Sequence, residues 1–93
     1  MFSPRAERQT IEHPATLIHG AGRMQHGTLG DISIRGARFL GRRLPPCDTQ
    51  VEVEVEGVRV PARVAWTKDG AVGLEFLEPM ERLSLSLVRR VIR

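Results

Sequence analysis

The chain has 93 residues with 41% hydrophobic content, 14 Lys+Arg and 11 Asp+Glu, which suits one globular domain and excludes both a two-domain protein and a disordered one. Net charge is +3, carried almost wholly by arginine, with Lys68 the only lysine; the bias favours planar recognition of anions over diffuse charge. A lone Cys47 rules out an internal disulfide and fits a reducing cytoplasm, and with no apolar run near twenty residues and no charged-then-apolar leader the chain is expected to be soluble, without membrane insertion.

Residues 1–9 are polar, contain Pro4 and show no periodicity, so they read as a flexible arginine-containing arm. From Thr10 to His19, Ile11, Ala15, Leu17 and Ile18 mark a first strand, with an interruption expected near Pro14. Gly20-Ala21-Gly22 is a turn. Arg23 to Ser33 is a second strand, in which Gly27 and Gly30 are candidate bulges. Ala37 to Leu40 forms a short third strand, and Gly41 to Thr49, with Pro45-Pro46, a loop.

Val51, Val53 and Val55 then alternate with Glu52, Glu54 and Glu56, the period of a strand with one buried face. Glu56-Gly57 suits a two-residue turn. Pairing across it sets Val55 opposite Val58, Val53 opposite Val60 and Glu54 opposite Arg59. The same apolar face continues through Ala62, Val64 and Trp66, and a slip of one residue would bury the glutamates. Lys68-Asp69-Gly70 turns the chain into a last strand, Ala71 to Leu77. Beyond Pro79 the period changes: Met80, Leu83, Leu87, Val88 and Val91 recur at helical spacing, with Arg82, Arg89, Arg90 and Arg93 opposite. This predicts an amphipathic helix over 79–93 that covers one end of a barrel formed by residues 10–93.

The residues that carry chemistry are Asp31, Ser33 and Gly36. Asp31 and Ser33 are two apart, so in an extended chain they share a face, while Ile32 and Ile34 point to the core. A carboxylate that accepts two parallel N–H bonds suits the N1–H and N2–H₂ edge of guanine. Gly36 lets the chain turn or lie close to a flat group. Upstream, Arg5 and Arg8 offer forks that match phosphate oxygens and the O6/N7 edge of guanine. A ligand combining purine and phosphate follows, although Asp, Ser and Gly are also ordinary turn residues.

With these residues the sequence resembles the PilZ family, whose pattern is RxxxR followed, twenty-odd residues later, by D/N-x-S-x-x-G. Asp31, Ser33 and Gly36 match the second half, and Trp66 with Gly73-Leu74-Glu75-Phe76 resembles the closing strands. Arg5 and Arg8 stand as RxxR, one residue short. The resemblance spans about Arg5 to Leu77. It implies an all-β fold with a C-terminal helix, a six-stranded antiparallel barrel capped by one helix, that binds cyclic di-GMP in bacterial second-messenger signalling without catalysis. Asp31 and Ser33 would then hold a guanine, Arg5 and Arg8 would clamp guanine and phosphate, and an unidentified downstream protein would read the altered surface.

The alternative is a degenerate module of the same family that binds no nucleotide and serves as a protein-interaction adaptor. Nucleic acid is disfavoured, because the chain is 4% aromatic and base stacking needs aromatic platforms; Trp66, Phe39 and Phe76 read as core. His13, His19, His26 and Cys47 show no metal-ligand spacing, and no nucleophile has a base nearby in sequence. No metal, cofactor or catalytic residue is assigned.

Overall fold

The computed structural model describes residues 9–77, with side chains from Glu12 onward. Arg5, Arg8 and the rest of residues 1–8, and the helix expected over 79–93, lie outside these residues; Gln9, counted with the arm, is the first residue of the first strand. Six strands form in chain order: β1 (Gln9–His19), β2 (Arg23–Ile32), β3 (Gly36–Leu40), β4 (Gln50–Val55), β5 (Val58–Lys68) and β6 (Ala71–Phe76). They close into an antiparallel barrel in the order β1-β2-β3-β6-β5-β4, with β4 returning to β1. Closure removes the open edges that a small sheet would otherwise expose to other chains.

The alternation of β4 sets the register. Val51, Val53 and Val55 are buried, and the pairs Val55–Val58, Val53–Val60 and Glu54–Arg59 form as the pattern predicts. Glu56 and Gly57 both have positive φ, the geometry of a hairpin turn whose twist matches that of its strands. Asp69 and Gly70 repeat it between β5 and β6. The barrel is filled by Leu17, Leu29, Phe39, Val53, Val64 and Val72, all fully buried, and Phe76 is buried with them.

Three expectations change. β1 runs through Pro14 without a break. β4 pairs with β1 only over Thr16–His19, so at Pro14 the strand has a single neighbour, the setting in which a sheet tolerates proline. Ile34 is exposed rather than core-facing, because β2 ends at Ile32 and Ile34 lies in the turn. Trp66 is 44% exposed. Val64 pairs with Leu74 but Trp66 pairs with Gly73, so β5 carries one extra residue there. This bulge breaks the period-two count and brings the indole to the outer surface.

Candidate functional site

The corner between β2 and β3 is built by two irregularities. Leu29 pairs with Phe39 and Asp31 with Arg38, which makes Gly30 the extra residue of a bulge. Because of it, Leu29 and Ile32 both reach the core although they are three apart, and Asp31 between them faces outward. β1 has its own register shift over the same spot, between Thr10 and His13. The turn follows. The Ser33 N–H donates to the Gly36 carbonyl at 2.8 Å, and the Ser33 hydroxyl accepts from the Arg35 N–H at 3.2 Å. Ser33 is thus buried and fastens the corner. Gly36 is required by the barrel itself, since a Cβ there would run into the backbone carbonyl of Leu74.

Pairing aligns one row of residues across four strands: Asp31 on β2, Arg38 on β3, Gly73 on β6 and Trp66 on β5. Neighbouring strands lie about 4.8 Å apart, so the row spans about 14 Å. Directly opposed residues share a face, and none of these side chains belongs to the core. Arg38 Nε donates to Asp31 Oδ2 at 2.9 Å, with the carboxylate side chain 13% exposed and the guanidinium side chain 38%. At Gly73 the absence of a side chain leaves room for the Trp66 indole, which occupies the space a Cβ would take.

A groove of about 270 Å³ runs beside this row, lined by Arg35, Gly36, Ala37, Trp66, Gly73 and Glu75 among others. Glu75 is held by Arg63 at 2.5 Å, and Arg63 also binds Asp48 at 2.6 Å. The hydrogen bond to Glu75 raises the Arg63 pKa above its usual value, so the guanidinium stays charged and offsets the acid at the groove wall. The groove therefore offers the Arg35 guanidinium, the Trp66 indole and a Glu75 carboxylate already paired with Arg63. That combination suits a planar, hydrogen-bonding anion more than an apolar ligand.

The structure thus brings Asp31, Ser33 and Gly36 to one corner, but Asp31 and Ser33 do not share an extended face as the spacing predicts: β2 ends at Ile32 and Ser33 is buried in the turn with its hydroxyl engaged there. The sequence reading does not place two residues of this row, Trp66 and Arg38. Trp66 was assigned to the core because period-two counting cannot register a bulge; the signal available was Gly73, a glycine inside a strand, which often marks close approach of another group. Of the two glycines that the sequence marks as candidate bulges, Gly30 is one and sets Arg38 opposite Asp31, whereas Gly27 pairs with Ala15 in register. Among the described residues, no group of His, Cys, Asp and Glu could hold a metal ion, and no helix is long and apolar enough to cross a membrane.

The sequence matches the PilZ domain family over residues 3–93. The chain belongs to that family. Among solved structures, this PilZ domain is similar to the crystal structure of the PilZ domain of CeSA from a cellulose-synthesizing bacterium. The two share 20% sequence identity and a TM-score of 0.68, over 92% of this chain and 95% of that one. At this identity the likeness establishes the barrel fold alone. No curated protein matches the chain. PilZ domains are known as a cyclic di-GMP-binding family.

Proposed function

We propose that this PilZ domain is a non-enzymatic receptor for cyclic di-GMP that acts in the bacterial cytoplasm and passes its state to a partner protein. The observation that carries the reading is the β2–β3 corner. There Asp31 is held outward by a bulge and fixed by Arg38, beside a groove with an exposed indole. A carboxylate reads guanine through its N1–H and N2–H₂ donors, which adenine does not present in that arrangement. Pairing with Arg38 is compatible with this, since a carboxylate has about four lone-pair sites. Trp66 supplies a flat face for a purine ring. Ser33 and Gly36 keep the corner in shape.

Arg5 and Arg8 complete the site as cations for the phosphates. Support comes from β1, whose first residues pair with the motif, Gln9 with Ile32 and Thr10 with Asp31. Arg8 immediately precedes that pairing. In an extended arm RxxR spacing would put the two arginines on opposite faces, whereas RxxxR would put them on one.

The test is a calorimetric titration of the full chain with cyclic di-GMP and cyclic di-AMP. The reading expects binding of the first, weak or no binding of the second, and loss of most of the affinity in Asp31→Ala. Arg8→Ala should weaken binding about tenfold or more, the worth of one charge-assisted bond. Inserting an alanine between Glu7 and Arg8 should tighten it by a similar factor. Equal affinity for the two nucleotides would overturn the guanine-edge assignment, and no binding of either would favour the adaptor.

A further inference from the structure

We infer that Arg38 is the positioning residue of this site, setting the orientation of Asp31 and thereby the preference for guanine. The inference rests on the cyclic di-GMP reading above. Three observations carry it. The side-on Nε–H of Arg38, rather than a terminal nitrogen alone, donates to Asp31 Oδ2 at 2.9 Å. The guanidinium lies flat against Gly30, where an added Cβ would meet Nη2 at 2.8 Å and Cζ at 3.0 Å. Register places the two residues directly opposite each other only because Gly30 is the extra residue of the bulge.

Each observation has a physical consequence. The Asp31 side chain is 13% exposed and lies against the permanent charge of Arg38. Its planar fork, seated on a residue without a side chain, also fixes the rotation of the carboxylate. That rotation decides whether the two oxygens meet the parallel N–H donors of guanine edge-on. The positive charge further lowers the repulsion between Asp31 and an incoming phosphodiester. Lysine could supply that charge, but not the fixed side-on donor.

The experiment is a double-mutant cycle on the full chain, read by affinity for cyclic di-GMP and by the ratio of its affinity to that of cyclic di-AMP. Arg38→Gln should weaken cyclic di-GMP about tenfold or more and reduce the guanine preference. In an Asp31→Asn background the same substitution should change affinity by less than about twofold, because a residue acting through another loses its effect when that other is removed. Arg38→Lys should recover affinity only in part. Thermal midpoints confirm that the variants fold. Additive effects at Arg38 and Asp31, unchanged base preference in Arg38→Gln, or full recovery by Arg38→Lys would each overturn the inference while leaving cyclic di-GMP binding standing. If the unaltered chain binds neither nucleotide, the receptor reading falls and this inference with it.

Discussion

At the β4–β5 hairpin, Glu56 and Gly57 both have positive φ and every residue from Gln50 to Val55 pairs without a shift. At the β2–β3 corner the three linking residues, Ser33, Ile34 and Arg35, have no positive φ, and a bulge interrupts the ladder just before them. Primed turns follow the natural twist of a strand pair, and turns without positive φ do not match it. The first region therefore continues the barrel wall smoothly, while the second departs from it. The departure lets three consecutive pairs of residues present a carboxylate and a guanidinium outward and keep Leu29, Ile32, Ala37 and Phe39 buried. The hairpin serves stability, and the corner gives up ladder regularity for a surface that a ligand can use.

Substitutions can break this contrast. The largest effect should come from Gly36→Val, where the corner is fastened to β6. The Leu74 carbonyl is backbone and has little room to yield, so a loss of about 3 kcal/mol is expected, at the upper end of ordinary overpacking costs. Val53→Ala in the hairpin should cost about 1–3 kcal/mol in a denaturant melt and leave nucleotide affinity unchanged. A large loss of affinity in Val53→Ala would dissolve the division of labour.

Trp66→Ala sharpens the contrast from the other side. A core tryptophan costs about 3–5 kcal/mol when truncated, but a half-exposed one should cost only about 1 kcal/mol, since roughly half of its apolar surface is already in water. Affinity for cyclic di-GMP should fall more than stability does. The smallest effect should be that of Glu52→Ala, within about 0.5 kcal/mol of neutral. Glu52 stands 3.8 Å from Arg59 in an exposed pair, and such pairs contribute little.

The same contrast explains what the sequence discloses. The valine–glutamate alternation specifies strand, face and register together, because any slip buries charge. The hairpin was therefore legible to the residue. The Asp-x-Ser-x-x-Gly spacing was legible as a motif, and the reading that Asp31 faces outward holds. The bulge at Gly30 was legible too, as a glycine inside a strand; the one beside Ala65 was not. Bulges at Gly30 and beside Ala65 each add one residue to one strand, and an added residue inverts the face of everything counted past it. Trp66 was misplaced for that reason, and the pairing of Asp31 with Arg38 went unseen. Glycines at positions 30 and 73 carry the sequence traces of these two events.

Ligand-induced shifts of backbone amides and of the Trp66 indole N–H, followed by NMR as cyclic di-GMP is added, test the central claim most directly. The account predicts that they concentrate at residues 31–38, at Gly73 and at the indole, with residues 51–60 unmoved. Shifts centred on the β4–β5 hairpin, or on the opposite end of the barrel around residues 41–46 and 68–70, would contradict it.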